Sequence, residues 1–349
     1  MKKIRNIIRR FWMLFFGARE RNDYAVQYAK YAWALIFGRG SYIRQSWGET
    51  PSAKTHKNIA IFVHYDKQGR VHGYVLHYLK ALQDAGRTVM FITNSPKFPD
   101  AERQKLDDLC AQVLWRKNKG YDFGAYADGM KLLGNLSTYD TITLCNDSAY
   151  GPLFPLDKVF KSMDPKVADI WGLTDSWDSA HHLQSYFLLF HKATLSNPAF
   201  QKRWHNYVHV PSKSWVIRKH EIGLAADLRK AGLRARAVFP YRVLLGDFFD
   251  RMGDASMLED KNILPAHRKF LKRIFEHAEH GAPLNVTHFF WDRLISEFQY
   301  PFIKKEILQG NPSALPSLYL WEKLIGGVSD YDTSLITRHL EFTMRGRFM

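Results

Sequence analysis

The sequence predicts an α/β protein with a mostly parallel β-sheet flanked by helices. Short β-branched apolar segments recur between residues 59 and 239, stretches with helical spacing separate them, and Gly, Asn and Pro interrupt both. This alternation is typical of βαβ units, which place strands side by side in parallel. We expect strands over residues 59–63, 88–93, 111–115, 141–145, 169–173, 185–190 and 235–239, and helices over 74–85, 101–110 and 128–136.

The chain divides into three regions. Its 349 residues allow two domains or one large one. We expect a basic helical extension over residues 1–57, an α/β domain over 58–245 and a helical region over 246–349. The last boundary rests on the loss of strand signals beyond Leu245 and on helix-breaking prolines further along.

The composition indicates a folded protein with an anionic partner. Hydrophobic residues make up 46% of the chain, which excludes a mainly disordered protein. Fifty Lys and Arg residues against 34 acidic ones give a net charge of +16, which favours nucleic acid, acidic lipid or a phosphorylated small molecule. With only Cys110 and Cys145, a disulfide framework is excluded and a reducing compartment is indicated. No apolar run reaches the ~18–20 residues of a membrane-spanning helix.

The first 22 residues concentrate positive charge, with seven Lys and Arg against Glu20. Ile4, Ile7, Phe11 and Phe15 recur among them at helical spacing. Such a helix can lie in the interface of an anionic bilayer, or it can pack on its own protein, and the sequence leaves both open. We expect a second helix over 24–37 and an irregular connection over 38–58.

Polar side chains follow each of the first four predicted strands. In parallel sheets, ligands bind where the carboxyl ends of the strands meet. We therefore expect a ligand site at this edge of the sheet. The residues concerned are His64, Tyr65 and Asp66 after the first strand, Asn94 and Ser95 after the second, residues 116–124 after the third, and Asn146, Asp147 and Ser148 after the fourth.

Two of these segments suggest a phosphorylated ligand. Asp147 could hold Mg²⁺ or Mn²⁺ beside phosphates, although Asn146, Asp147 and Ser148 also suit an Asx turn. In the other segment, cations could neutralise a diphosphate while Asp122 accepts hydrogen bonds from a ribose or base; the alternative is a basic surface turn. That segment contains Arg116, Lys117, Asn118, Lys119, Gly120, Tyr121 and Asp122.

A candidate general base lies further along the chain. Glu221 precedes a predicted helix, where the helix dipole keeps a carboxylate ionised and able to accept a proton from a hydroxyl. Ordinary helix capping is the alternative, and the sequence does not separate the two. Asp175 is the reserve candidate for this role.

With these residues in view, the chain resembles the rhamnan synthesis F family of bacterial polysaccharide glycosyltransferases over roughly residues 59–311. The matching words are NKGYDFGAY (118–126), CNDSAYGP (145–152), WGLTDS (171–176), HLQSYFLLF (182–190), HEIGLAADLRKAG (220–232) and NVTHFFWDRLI…PFIKKEIL (285–308).

The resemblance implies a GT-A (Rossmann-like) glycosyltransferase with a nucleotide-diphosphate sugar donor, typically dTDP-rhamnose, and a lipid-linked glycan acceptor. It places Asp147 at the metal-binding D-x-D position, where only this residue is acidic, and the catalytic base at Glu221. His182, Gln184 and Trp171, which lie in two of the matching words, are expected at the acceptor.

We therefore expect an inverting glycosyltransferase that acts in cell-surface polysaccharide or O-antigen synthesis. We expect it in the cytoplasm, peripheral on the inner face of the membrane. Two alternatives stay open. One is an inactive transferase-like scaffold, which the incomplete acidic motif favours. The other is a basic nucleic-acid-binding protein, although the cations are dispersed outside the N-terminus and no nucleic acid is expected as a partner.

Overall fold

A nine-stranded mixed β-sheet forms the centre of the fold, and a computed structural model describes residues 19–37, 41–252, 258–316 and 318–344 of the chain. Nine of the described strands form this sheet, and β6 and β11 form a separate two-stranded sheet. The strands are β1 (Ile43–Gly48), β2 (Asn58–His64), β3 (Thr88–Thr93), β4 (Gln112–Arg116), β5 (Thr141–Asn146), β6 (Ala149–Tyr150), β7 (Ile170–Ser176), β8 (His182–Leu183), β9 (Phe187–His191), β10 (Ala235–Phe239) and β11 (Ile303–Lys304).

The sheet runs in the order β1-β4-β3-β2-β5-β9-β7-β10, with β8 beside β7. Strands β4, β3, β2 and β5 are mutually parallel, as predicted. The sheet becomes mixed beyond β5, because β9 is antiparallel to both β5 and β7, while β7 and β10 are parallel. All seven predicted strands are present, and the α/β class is confirmed.

Helices cover both faces of this sheet and make up most of the C-terminal region. They are α1 (Arg19–Phe37), α2 (Gly73–Asp84), α3 (Asp100–Gln104), α4 (Tyr121–Leu133), α5 (Leu156–Ser162), α6 (Lys192–Leu195), α7 (Pro198–His205), α8 (Lys213–Val216), α9 (Gly223–Lys230), α10 (Tyr241–Met252), α11 (Pro265–Glu279), α12 (Val286–Phe289), α13 (Trp291–Ser296), α14 (Lys305–Gly310), α15 (Trp321–Val328) and α16 (Ser334–Thr343).

The core consists of two apolar layers on opposite faces of the sheet. Phe62 of β2 belongs to one layer and its neighbour Ile61 to the other, because successive side chains of a strand point to opposite faces. The layer around Phe62 includes Ile274 of α11 and Ile336 of α16. Both faces of the parallel strands are therefore buried, which explains their continuous apolar sequences.

Two local predictions are wrong, and the helix predicted over 101–110 ends already at Gln104. Residues 38–58 contain a strand, β1, which pairs antiparallel with β4 at the sheet edge; its mostly exposed, polar side chains gave no apolar signal. Helix α4 begins at Tyr121 instead of residue 128. Gly124 and Gly129 weaken the helical pattern there, and Gly124 is required because a Cβ would lie 2.1 Å from the Lys119 carbonyl oxygen.

The N-terminal helix packs on the main body through a small aromatic contact. Tyr31 stacks on Trp215 with ring centroids 4.8 Å apart, and Ala34 belongs to the same buried cluster. The amphipathic helix predicted for residues 1–22 falls almost entirely outside the described residues. Within the described ranges, no helix combines the length and apolar character needed to cross a membrane.

Candidate functional site

The turn after β5 places Asp147 at the carboxyl end of the parallel strands. The Asn146 side-chain oxygen accepts a hydrogen bond from the Ser148 backbone N–H at 3.1 Å, so the predicted Asx turn is present. The Asp147 backbone N–H donates to the Val63 carbonyl oxygen of the adjacent strand at 3.1 Å. The turn is thus tied to the sheet, and the Asn146 amide is free to reach towards α4.

Asp122 is the second carboxyl group of the site, and Asn146 connects it to the turn at Asp147. Asn146 Nδ2 donates to Asp122 Oδ2 at 3.0 Å, which joins β5 to the first turn of α4. Burial, followed by the nearby charge of Asp147, raises the pKa of Asp122 to about 6, although the Asn146 hydrogen bond opposes this shift. Glu221 raises the same pKa and therefore lies within electrostatic range.

A lysine from the C-terminal region neutralises Asp147. Lys305 Nζ lies 3.2 Å from Asp147 Oδ2 and donates to the Tyr74 hydroxyl at 3.0 Å. Strand β11 pairs with β6 in a register that sets Lys304 opposite Ala149, and the Lys305 backbone N–H donates to the Ser148 carbonyl oxygen. We did not select Lys305 from the sequence, although it stands in the family word PFIKKEIL.

The neighbouring Lys304 is also part of the site and was also missed. Its Nζ lies 3.5 Å from the centroid of the Tyr186 ring. Burial lowers its pKa to about 8, although attraction to Glu306, Glu221 and Asp122 opposes the shift. Two consecutive lysines therefore lie among the carboxylates of the sheet edge. Lys305, the first residue of α14, lies beside Asp147, and Lys304, the last residue of β11, lies within electrostatic range of Glu221.

Glu221 lies in a π-helical segment, Ile217–Ile222, between α8 and α9. Its Oε1 accepts hydrogen bonds from the Ser185 backbone N–H at 3.1 Å and from the Ser185 hydroxyl at 2.8 Å. These two donors orient one carboxylate oxygen. Segments of this kind often occur at functional sites because they alter the register of side chains.

His64 adds a buried nitrogen to the site. Its side chain is 1% exposed, and Nδ1 lies 3.1 Å from the Thr93 hydroxyl. Nε2 has no hydrogen-bond partner among the described residues. Burial lowers the pKa of His64, although the charge of Asp147 opposes the shift, so the ring is neutral near pH 7. An unpaired buried nitrogen beside Asp147 suits a ligand that supplies the missing partner.

The other residues after β2 and β4 have different surroundings from those expected. Tyr65 is exposed, whereas Asp66 Oδ1 accepts hydrogen bonds from the Gln68 and Arg70 backbone N–H groups. Gly120 and Tyr121 both have positive φ angles, which turn the chain into α4. The side chains of Lys117, Asn118 and Lys119 are exposed beside this turn.

Arg116 is a structural residue, contrary to our prediction that it binds a diphosphate. It is fully buried, and its guanidinium donates to Asp128 at 2.7 Å, Asn94 at 2.6 Å and the Lys119 carbonyl oxygen at 2.8 Å. Asp128 also contacts His209 at 2.9 Å. These acceptors satisfy the guanidinium and hold the 117–120 turn, so Arg116 is not available to a ligand.

Asp175 and Trp171 also serve the fold. Asp175 Oδ1 accepts the Tyr241 backbone N–H at 2.6 Å and Oδ2 contacts His181 at 3.0 Å, and despite burial these bonds lower its pKa. Both oxygens are engaged, which makes Asp175 unsuited as a base. Trp171 is buried in the core, where Nε1 donates to the Ala168 carbonyl oxygen at 3.2 Å, so it cannot contact an acceptor.

His182 and Gln184 remain candidates for acceptor binding. His182 Nδ1 lies 2.8 Å from the Ala180 carbonyl oxygen. Gln184 accepts a hydrogen bond from the Thr174 hydroxyl at 2.5 Å and directly precedes Ser185, the partner of Glu221.

The donor atoms do not fit a divalent cation held by the protein. Asp147 Oδ2 contacts an ammonium group, and the Asn146 oxygen accepts a backbone N–H. Across the described part of the chain, no group of three or more His, Cys, Asp or Glu side chains is arranged to hold a metal ion.

Two solved structures resemble this chain at low sequence identity. Residues 1–349 of S. aureus TarS align with 82% of this chain and 91% of their own, at 10% identity and a TM-score of 0.34. A putative nucleotide-diphospho-sugar transferase from Desulfovibrio desulfuricans covers 66% of this chain and 96% of its own, at 14% identity and a TM-score of 0.29.

Sequence relatives cover most of the chain. The virulence protein VirA of Vibrio anguillarum is 28% identical over 311 residues, which span 87% of this chain and 96% of VirA. The family model for rhamnan synthesis protein F matches residues 89–348. The chain therefore belongs to the rhamnan synthesis protein F family.

Proposed function

We propose that this protein is an inverting glycosyltransferase that moves a sugar from a nucleotide-diphosphate donor to a hydroxyl of a growing glycan. The observation that carries the proposal is the convergence of Asp147, Asp122 and Glu221, with two lysines, at the carboxyl edge of the parallel strands. Membership of the family supports a nucleotide-sugar glycosyltransferase.

Glu221 is the proposed general base. Its carboxylate accepts the proton of the acceptor hydroxyl as the hydroxyl oxygen attacks the anomeric carbon of the donor sugar. The bond between this carbon and the diphosphate breaks on the opposite face, and the electron pair leaves with the diphosphate. Attack and departure on opposite faces invert the configuration. Ser185 supports this role because its two donors hold one carboxylate oxygen and leave the other for the proton.

The remaining site residues are proposed to hold the donor. Asp122 and Asn146 suit a ribose or base, which carries hydroxyl and N–H donors and carbonyl acceptors. His64 Nε2, Lys304 and Lys305 suit the diphosphate side of the molecule. His182 and Gln184 remain proposals for the acceptor side. We propose residues 58–245 as the GT-A domain, between the basic extension 1–57 and the helical region 246–349, which supplies the lysines.

The family also guides the choice of substrates. We propose rhamnose, carried by dTDP, as the transferred sugar, and a lipid-linked glycan of a cell-surface polysaccharide or O-antigen as the acceptor. A surplus of 16 positive charges suits both a diphosphate and the anionic inner face of the cytoplasmic membrane. Exposed apolar side chains on α1, among them Val26 and Ile36, suit such a surface.

The deciding experiment is transfer from a panel of nucleotide sugars to a hydroxyl acceptor, with the anomeric configuration of the product read by NMR. Inverted product from one donor is the expected result, whereas retained configuration would contradict the role of Glu221. An inactive scaffold is the second candidate, because Asp147 is the only acid of its motif and is neutralised by Lys305. Absence of hydrolysis and transfer with every donor would favour that scaffold.

A further inference from the structure

The position of Lys305 has a consequence for how the diphosphate of the proposed donor is held. Its ammonium group has three N–H donors. Two of these are directed to Asp147 Oδ2 and the Tyr74 hydroxyl, which fix the group in place. With only 18% of its side chain exposed, Lys305 is a partly desolvated cation with one donor left over.

The backbone of Lys305 is also held in place by hydrogen bonds. Strand β6 begins two residues after Asp147 and pairs with β11. The Lys305 backbone N–H donates a hydrogen bond to the Ser148 carbonyl oxygen at 3.0 Å. This pairing places the Lys305 side chain next to Asp147. A mobile surface lysine would have to lose more conformational entropy on binding an anion.

Two further groups point to an anion at this place. Lys304 brings a second ammonium into the same edge of the sheet, stacked on Tyr186. His64 leaves its buried Nε2 without a partner among the described residues, and the ring lies within electrostatic range of both Asp147 and Lys305. A phosphate oxygen between these groups would receive the remaining ammonium donors. It would also receive the Nε2 proton of His64 in the tautomer whose Nδ1 accepts from the Thr93 hydroxyl.

A divalent cation would compete with this arrangement. The Asp147 oxygen that contacts Lys305 would have to exchange an ammonium for the metal, and the Asn146 oxygen is already bonded to Ser148. Asp122 Oδ2 in turn accepts the Asn146 amide. Within this site, Asp147 therefore holds an ammonium group.

We propose that Lys305, supported by Lys304, binds the donor diphosphate directly and replaces a divalent metal, with Asp147 acting as the residue that positions Lys305. This inference rests on the proposed function. In the transfer step, the bond between the anomeric carbon and the diphosphate oxygen breaks and its electron pair stays on that oxygen. Lys305 donates a hydrogen bond to the charge that develops and keeps its proton, while Glu221 takes the proton of the acceptor.

The test is binding of free dTDP, UDP, GDP and CDP to the full chain by calorimetry, with EDTA and with added Mn²⁺. We expect one of them to bind equally well in both conditions. Lys305→Ala should weaken that binding about tenfold or more, as expected for loss of a charged hydrogen bond, and Lys305→Arg should restore part of it. Lys161→Ala is the matched control, because Lys161 pairs with Asp157 at 3.3 Å but is 80% exposed.

Asp147→Asn tests whether Asp147 binds a metal ion or positions Lys305, and this test does not depend on the folding of a lysine variant. If Asp147 is a metal ligand, Asp147→Asn weakens nucleotide binding tenfold or more. If Asp147 only positions Lys305, binding in EDTA changes by less than tenfold, because removal of a negative charge beside the diphosphate offsets the mobility that Lys305 gains. Binding that requires Mn²⁺, or that Asp147→Asn weakens tenfold, would overturn the inference and leave the glycosyltransferase proposal intact. If no nucleoside diphosphate binds with or without Mn²⁺, the inference about Lys305 and the glycosyltransferase proposal both fail.

Discussion

Lys305 Nζ lies 3.2 Å from Asp147 Oδ2, although the two residues are 158 positions apart in the chain. The pair joins the turn after β5 to the first residue of α14, and both side chains are mostly buried. The C-terminal region therefore supplies part of the candidate site, so its packing on the sheet bears on function as well as on stability.

Glu221→Gln tests the proposed base. Glutamine keeps an oxygen that can accept the Ser185 donors but cannot take a proton from the acceptor, so the turnover rate should fall by about 10²–10⁴. Affinity for the nucleotide diphosphate should stay unchanged. Steady-state transfer and calorimetry measure the two quantities. Glu279→Gln, at the exposed end of α11, is the control, and equal losses of binding and transfer would indicate a structural role for Glu221 instead.

Asp122 predicts a pH-dependent stability difference. Its pKa in the folded protein is about 6, above the ordinary value of 3.8, so the folded state binds the proton more tightly than the unfolded state. Stability from this group is present below pH 4 and is lost as the pH rises through 6, at a cost of about 3 kcal/mol. Asp122→Asn removes that cost, so its free energy of unfolding should exceed that of the wild type at pH 8 but not at pH 4.

Urea unfolding at several pH values measures this difference. Asp157→Asn, whose carboxylate is half exposed and pairs with Lys161, should show almost no pH-dependent change. A difference between Asp122→Asn and the wild type that stays constant from pH 4 to pH 8 would contradict the raised pKa.

Arg116→Met distinguishes a structural role from a ligand-binding one. The substitution leaves the Asp128 carboxylate and the Asn94 oxygen without their buried partner, so the free energy of unfolding should fall by about 3–5 kcal/mol. Arg338→Met, which removes an exposed pair with Asp332, should cost about 0–1 kcal/mol. Loss of nucleotide affinity at unchanged stability would restore our original interpretation of Arg116.

The exposed face of α1 predicts binding to anionic membranes. Val26 is 55% and Ile36 67% exposed, and residues 1–22 carry a strong positive charge. The full chain should float with vesicles that contain phosphatidylglycerol, less so at high salt, and the V26E/I36E variant should float less. Vesicles of phosphatidylcholine alone are the control. Equal flotation of the variant and the wild type would contradict membrane contact through Val26 and Ile36.

Local patterns predicted most of the sheet and part of the site. The buried strands are continuous apolar segments, so their positions could be found without tertiary information, and the polar residues after β2 and β5 followed from chain direction. Glu221, selected from the sequence, lies within electrostatic range of Asp122, and its role as a base stays a prediction. Its π-helical segment was not predicted, because a shift in hydrogen-bond register leaves no trace in composition.

Arg116 and Trp171 were assigned wrong roles because the sequence does not show which residues a side chain contacts in the folded protein. Arg116 is a cation after a strand, as a phosphate ligand would be, but only the folded chain brings Asp128, Asn94 and the Lys119 carbonyl oxygen around it. Trp171 has an aromatic ring of the kind that stacks on sugars, but in the folded chain it is buried in the core.

By itself, the sequence determined the α/β class, the strand positions and the edge of the sheet at which polar side chains gather, since periodicity and chain direction are local properties. Only the tertiary structure decided which charges meet there. The pairing of β11 with β6, between segments more than 150 residues apart, brings Lys305 to Asp147, and contacts of that range depend on the packing of the whole chain.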